Sequence, residues 1–473
     1  MFNYIIAVVL TLYIYAPCFA QERESDIILK NFKDYFNKHQ TDSIYHQWGE
    51  EAKSTVPKAQ LDTLLETQLY PLGDIQSYTF IKQDSALVHY KLNFDNTALR
   101  LILSIDSNKH VSTFLFQPYT EQAKKESASV GAQNVKNDTA STIDHLVDSL
   151  ALKYISMPST SSLAIGLIHN GRTNYYYYGE TSQGDNTLPD KETLFEIGSI
   201  SKTFTAALLA NSVLLDSIKL DDPITKYLPD SVAQNEQLAG ITFQNLATHT
   251  SGLPRLPSNL LPTEPLDPYK DYDRTALFSY LKNYEQHNKP DSLYEYSNLG
   301  YGIIGELLAY KYNSSYSELI EKTVCAPLQL ENTTALPSGD QLQHFIPTYN
   351  NKGQLTPHWH FQALSGAGSL KATITDLLKY AESNLNIPRT PLGKALELTH
   401  KPSWLLSETQ DLGLSWNINI EDFQEIFWHN GATFGSSSFL AFVPGKKTAV
   451  VILANAGQSV DDIGFSIIKA LIQ

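Results

Sequence analysis

The sequence predicts an α/β chain in two parts: a small α+β unit, then a large domain whose helices lie between the first and last strands of one sheet. Three observations predict it. The chain has 473 residues, more than one hydrophobic core usually holds. Alternating apolar runs broken by turn residues fill the stretch before residue 120. Beyond residue 142, strand–turn–strand patterns stand at both ends of a helix-rich middle.

The first twenty residues, MFNYIIAVVLTLYIYAPCFA, carry no charged side chain and end before Gln21-Glu22. The apolar run is short for a membrane span, and it reads as a signal peptide cut after Ala20, although a positive start is missing. That predicts a periplasmic or extracellular protein. A lipid anchor on Cys18 is the competing reading, for which Tyr15-Ala16-Pro17 is a poor context. No later segment is expected to span a membrane. Cleavage leaves Cys325 as the only cysteine, so no internal disulfide is expected and Cys325 reads as a small buried hydrophobe.

Residues 21–119 read as the small α+β unit. Ile27, Ile28, Phe32 and Phe36 mark an opening amphipathic helix, and alternating runs over 86–94, 99–105 and 111–116 mark strands. Asp95-Asn96 and Asp106-Ser107-Asn108 are turn signals between them. Residues 120–141 are Ala, Ser, Lys, Asn and Gln with few large apolar side chains, the composition of a linker. The large domain, 142–473, opens with a strand over 162–169, the turn Asn170-Gly171 and a return over 174–179. It closes with a hairpin over 437–443 and 448–453 around Pro444-Gly445. A last helix carries its apolar stripe on Ile463, Ile467, Ala470 and Leu471.

Asp and Glu number 50 against 35 Lys and Arg, for a net charge of −15. Nucleic-acid phosphates would be repelled, so no nucleic-acid partner is expected.

Three stretches carry chemistry. In Phe195-Glu196-Ile197-Gly198-Ser199-Ile200-Ser201-Lys202, Ser199 and Lys202 stand one helical turn apart and share a face. A serine hydroxyl becomes nucleophilic beside a base, and a desolvated lysine can serve. The following residues are apolar nearly all round, which predicts a buried helix. Spacing alone is weak: Ser279/Lys282 and Ser466/Lys469 repeat it, but on ordinary amphipathic helices. The second stretch is Tyr296-Ser297-Asn298. A tyrosine near a lysine can shuttle a proton, and an amide can hold a substrate carbonyl. Tyr35-Phe36-Asn37 and Tyr349-Asn350-Asn351 share the pattern, one in the other domain and one in a polar loop. The third is His429-Asn430-Gly431-Ala432, leading into the strand over 437–443. A donor beside a glycine on an inner strand can bind a carboxylate while the backbone approaches closely. The same tripeptide at His169-Asn170-Gly171 reads as a hairpin turn.

In this order along one domain, the three stretches resemble the Ser-x-x-Lys, Tyr-x-Asn and Lys/His-x-Gly boxes of the serine β-lactamase and D-alanyl-D-alanine peptidase family, class C-like branch. Leu246-Ala247-Thr248-His249-Thr250-Ser251-Gly252-Leu253-Pro254 is similar to that family's loop between the first two boxes. Gly366-Ala367-Gly368-Ser369-Leu370 looks like its loop before a helix, and 439–455 like its closing hairpin. The resemblance covers 142–473. The N-terminal unit is similar only in outline to the cone-shaped domains of the nuclear-transport-factor-like type, with no motif behind it.

The resemblance implies an α/β sandwich of the β-lactamase/transpeptidase-like type: an antiparallel sheet flanked by helices, a helical lobe, and a site between them. It implies a penicillin-binding-protein-like serine hydrolase in which Ser199 attacks a carbonyl while Lys202 and Tyr296 share the proton transfers. Which of the two is the base stays open. The N–H groups of Ser199 and Ala432 would form the oxyanion hole, Gly431 would admit the close approach, and Asn298 and His429 would orient substrate. No metal and no organic cofactor is implied. Substrates would be small-molecule or peptide acyl compounds, including peptidoglycan-derived ones. His429 and Asn430 stand where β-lactamases carry lysine and Thr or Ser, and neutral histidine anchors a carboxylate weakly. That favours an esterase or D-aminoacyl peptidase over an efficient β-lactamase. The rival from another class is a catalytically idle protein that recognises peptidoglycan or a partner. His358-Trp359-His360 reads either as an aromatic rim over the cleft or as a plain surface loop.

Overall fold

The structure, a computed structural model, describes residues 24–118, except 50, 51, 54, 55, 57, 85, 86, 96 and 107, and residues 141–473. The expected signal segment 1–20 and the expected linker 120–141, apart from Ser141, lie outside the described residues, as do Asn96 and Ser107 of the expected turns. The described residues fall into two compact units, one within Met1–Ala123 and one within Lys124–Gln473.

In the first unit a helix, Glu24–Phe36, buries Leu29, Phe32 and Phe36 against a four-stranded antiparallel meander. The strands are Ile75–Asp84, Leu87–Phe94, Ala98–Ile105 and Val111–Pro118. Val88, Tyr90, Leu92 and Phe94 alternate into the core at the strand period of two. The Phe32 ring meets Phe114 edge-on at 4.7 Å, a favourable aromatic geometry. The strand Ile75–Asp84 was not expected from sequence. Register shifts between Ile75 and Ser77 and between Phe80 and Lys82 break its period, so no unbroken alternation marks it.

The second unit is an α/β sandwich around an eight-stranded antiparallel sheet. Its strand order is Trp404–Ser407, Gln410–Leu412, Asn417–Glu421, Gln424–Ala432, Ser437–Val443, Thr448–Ala454, Ser162–His169 and Arg172–Gly179. The first strand of this unit therefore pairs with its last, with Ile165 opposite Ile452. Helices Thr142–Ile155 and Asp461–Ile472 cover one face, where Leu163, Ile165, Leu167, Phe439, Ala441, Val450 and Ile452 are buried. Helices Ser201–Leu214 and Ile374–Leu385 share the opposite core with Ala164, Leu440, Phe442, Val451 and Leu453. Burial on both faces explains why the central strands read as unbroken apolar runs. The hairpin turn at Asn170-Gly171 has φ of 50° and 72°, the left-handed pair that a two-residue hairpin loop requires. A helical lobe over 223–362 includes helices Arg274–Lys282 and Asn298–Tyr312. Ser279, Lys282, Ser466 and Lys469 are exposed on their helices.

Candidate active site

Ser199 lies in a single 3-10 turn, Gly198–Ile200, immediately before helix Ser201–Leu214. That helix is buried on all sides by Phe204, Ala206, Ala207, Leu208, Leu209 and Ala210. Each large apolar side chain so buried contributes roughly 1.5–3 kcal/mol, so packing rather than propensity fixes the helix and the residue it presents. Lys202 follows one turn on, with no exposed surface. Its Nζ donates to Ser199 Oγ at 2.9 Å and to the Ala367 carbonyl at 2.6 Å.

Two glycines bring the strand Gln424–Ala432 against this turn. Gly198 has φ of +48°, and a Cβ there would stand 2.6 Å from the Ala432 nitrogen. A Cβ on Gly431 would stand 2.0 Å from the Ile197 carbonyl oxygen. The same carbonyl accepts the Ser438 hydroxyl at 2.8 Å, and Ser438 is the strand partner of Gly431. Any side chain at either glycine would wedge the strand and the nucleophile turn apart.

Tyr296 is held by a second chain segment zipped along its own. The Glu295 N–H donates to the His249 carbonyl at 2.8 Å, and the Asn298 and Leu299 N–H groups donate to the Arg255 carbonyl at 3.0 and 3.2 Å. Ser297 caps helix Asn298–Tyr312 by accepting from the Gly300 N–H at 3.0 Å, and its hydroxyl donates to the Pro254 carbonyl at 2.7 Å. The Ser297 N–H donates to His249 Nδ1 at 3.0 Å, which places the His249 proton on Nε2. That Nε2 is buried with no hydrogen-bond partner among the described residues. The loop 246–254 thus serves as the brace of the tyrosine segment. His249 itself takes a left-handed backbone with φ of +61°, and its ring lies 4.4 Å from that of Tyr296.

The electrostatics separate the two proton-handling groups. Lys202 Nζ stands 5.0 Å from the Tyr296 ring centroid. Burial, with a smaller push from Arg255, holds the Lys202 amine well below its usual value. Burial drives the Tyr296 phenol well above its own, against weaker pulls from the Ser199 hydroxyl and Arg255. Lysine tends toward neutral amine and tyrosine stays phenol. Burial and Lys202 lower His429 to about 3, so it is uncharged at neutral pH. Its Nδ1 meets the Asn430 carbonyl at 2.6 Å, which assigns the proton to Nδ1 and leaves Nε2 a lone pair.

A cavity of about 90 Å³ opens beside Ser199, lined by Gly198, Ala432, Asn298, Gly368 and, on its other wall, Arg255, Tyr269, Trp359 and Phe361. Asn298 meets the Tyr269 hydroxyl at 3.4 Å with one end of its amide. The other end, Oδ1, is buried without a hydrogen-bond partner among the described residues, open to a substrate N–H. Trp359, from the anticipated rim, lines the cavity; its neighbours turn away, His360 to Asp267 at 2.7 Å and His358 onto the Phe345 ring at 3.6 Å. The sequence reading missed Arg255, Tyr269, Phe361 and His249. Arg255 directly follows the recognised loop, which was the available signal. A larger cavity of about 560 Å³ near Glu321 and Cys325 contains no comparable nucleophile, because burial pushes the Cys325 thiol up to about 12.

Of the expected site residues, Ser199, Asn298 and Ala432 line the cavity, Lys202 and Tyr296 are buried behind Ser199, and His429 and Gly431 lie outside the lining. The family model described as "Beta-lactamase" matches residues 140–465. A beta-lactamase of Pseudomonas fluorescens is 27% identical over 350 residues, 67% of this chain and 94% of that protein. The D-alanyl-D-alanine-carboxypeptidase/endopeptidase AmpH of Escherichia coli K12 is 27% identical over 242 residues, 51% of this chain and 62% of that protein. A class C beta-lactamase structure superposes with a TM-score of 0.63 at 25% identity, covering 71% of this chain and 98% of that one. Among the described residues no helix is long and apolar enough to cross a membrane. The chain belongs to the beta-lactamase family and is a serine hydrolase of the β-lactamase/D-alanyl-D-alanine carboxypeptidase type.

Proposed function

We infer that this protein hydrolyses ester or amide carbonyls through an acyl-Ser199 intermediate, with peptide-type or simple ester substrates served better than β-lactams. The observation that carries this is the 2.9 Å contact between Ser199 Oγ and a buried Lys202 amine that no carboxylate neutralises among the described residues. Ser199 Oγ attacks the carbonyl carbon as its proton passes to Lys202 Nζ. The resulting oxyanion rests on the Ser199 and Ala432 N–H groups. The carbonyl–leaving-atom bond breaks as the Tyr296 hydroxyl protonates the leaving atom and recovers a proton from the Lys202 ammonium. Water then attacks the acyl ester, gives a proton to the same pair, and restores Ser199. Asn298 orients the substrate amide.

The substrate preference rests on His429, which is buried and neutral and keeps a lone pair rather than a charge on its second ring nitrogen. A β-lactam carboxylate gains little there. The uncharged apolar stretch over residues 1–20 supports export to the periplasm or beyond.

Intact-mass measurement after incubation with a fluorophosphonate, and separately with a penicillin, tests the reading. One adduct per chain that maps to Ser199 and is absent in Ser199→Ala is expected. A folded protein that takes up neither reagent would leave only the binding-protein alternative.

A further inference from the structure

Of the residues lining the cavity beside Ser199, Arg255 is the only one that carries a charge. Its guanidinium is exposed, lies 5.0 Å from the Tyr296 ring centroid, and has no carboxylate partner among the described residues. Its backbone is fixed, because the Arg255 carbonyl accepts the first two N–H groups of helix Asn298–Tyr312. An unpaired cation held at the mouth of a reactive cavity, in a chain of net charge −15, calls for an anion from outside.

The other basic groups at the site do not meet that need. Lys202 is fully buried and committed to Ser199 Oγ and the Ala367 carbonyl. His429 gives its one proton to the Asn430 carbonyl, so its remaining nitrogen can only accept. Guanidinium is suited to the task, since its planar fork matches a carboxylate with two parallel hydrogen bonds. The aromatic wall of Tyr269, Phe361 and Trp359, with Tyr269 and Phe361 stacked at 4.7 Å, excludes water on the neighbouring side and strengthens such a contact.

We propose that Arg255 binds a carboxylate on the acyl substrate, so that this site selects anionic esters and amides, with the anchor on the tyrosine side of the cleft rather than on the strand of His429. The inference rests on the acyl-Ser199 reading. The carboxylate belongs either to the acyl portion or to the leaving group; the chemistry at Arg255 is the same.

Three chromogenic esters and the full chain test it: p-nitrophenyl butyrate, mono-p-nitrophenyl adipate with its carboxylate on the acyl side, and 3-carboxy-4-nitrophenyl butyrate with its carboxylate on the leaving group. The quantity read is the ratio of kcat/KM for each anionic ester to that for the neutral one. A change in general proton handling cancels in this ratio. Wild type should prefer one anionic ester, and Arg255→Met should collapse that ratio by on the order of 10- to 100-fold. Arg255→Lys should keep part of it, and added salt should weaken it in wild type. Ser199-dependent hydrolysis with no anionic preference, or a ratio unchanged in Arg255→Met, overturns the assignment of Arg255 alone. Absence of any Ser199-dependent hydrolysis overturns the acyl-serine reading, and this inference with it. If Arg255→Met does not fold, the lysine variant and the salt dependence of wild type still decide.

Discussion

Gly431→Ala tests how tightly the strand end must press on the nucleophile turn. An added Cβ would lie 2.0 Å from the Ile197 oxygen and 2.5 Å from Ser438 Oγ. Ordinary contact begins near 3.4 Å, so the strand and the turn must part by more than 1 Å. Neither neighbour yields easily: Ile197 is main chain, and Ser438 Oγ is tied to that same carbonyl at 2.8 Å. Displacing a reacting geometry by about 1 Å costs about 100-fold in rate, or about 2.7 kcal/mol of barrier. The stability penalty for overpacking is about 1–3 kcal/mol, a shift of several degrees in a domain of this size. The assay is the second-order rate of fluorophosphonate capture by Ser199, followed by intact mass, with a thermal melt as the folding check. Gly240→Ala is the control, since a Cβ there meets only Pro290 at 3.7 Å. A folded Gly431→Ala protein that labels at the wild-type rate would refute the reasoning and remove Ala432 from the oxyanion hole.

Three further outcomes are expected. Lys202→Met should cut acyl-adduct formation by at least about 100-fold and yet raise the melting temperature, a gain of about 0.5–2 kcal/mol. The native amine titrates below its unfolded value, so the unfolded chain binds the extra proton. The stability gap to wild type should therefore widen as pH falls below about 10.4 and level off beneath the native value; a gap independent of pH would contradict a buried neutral amine. In the rate profile, kcat/KM should rise with pH as the Lys202 ammonium loses its proton, and fall only in strong base as the Tyr296 phenol ionises. Tyr296→Phe should keep the acid limb and lose far more activity on amides than on nitrophenyl esters, whose leaving group needs no proton; loss of the acid limb would make tyrosine the base.

What the sequence disclosed was local. The apolar run over 162–169, the turn at Asn170-Gly171 and the stripe of the last helix each need only near neighbours, and all three stand in the fold. The three boxes were legible for a similar reason, because a serine and a lysine one turn apart before a buried helix is a short-range pattern. Arg255 and His249 were not, since their importance comes from hydrogen bonds to residues 295–299, more than forty positions away. Glu196 shows the same limit. It reads as one more charged residue before the nucleophile, yet its carboxylate accepts the Trp359 N–H and the Thr433 hydroxyl, each at 2.6 Å. It thereby ties the aromatic rim to the end of the third box, a role that only the folded chain reveals.

The contrast between two buried lysines argues most directly for a working site. Lys371 and Lys202 are both almost fully buried in one domain. Lys371 donates to the carbonyls of Ser369 and Trp359 at 3.0 and 3.1 Å and stands across its strand pair from Glu196. Burial lowers its affinity for protons, and Glu196 and Asp267 restore part of it. That is how a fold accommodates a structural cation. No acid offsets the burial of Lys202, and Arg255 pushes the same way as burial. Around Ser199 stand a His249 Nε2 and an Asn298 Oδ1 without hydrogen-bond partners among the described residues, and Gly198 at positive φ. A chain that satisfies Lys371 and leaves these groups unpaired beside one serine keeps there polar atoms that a substrate can satisfy, which is what preorganised chemistry requires.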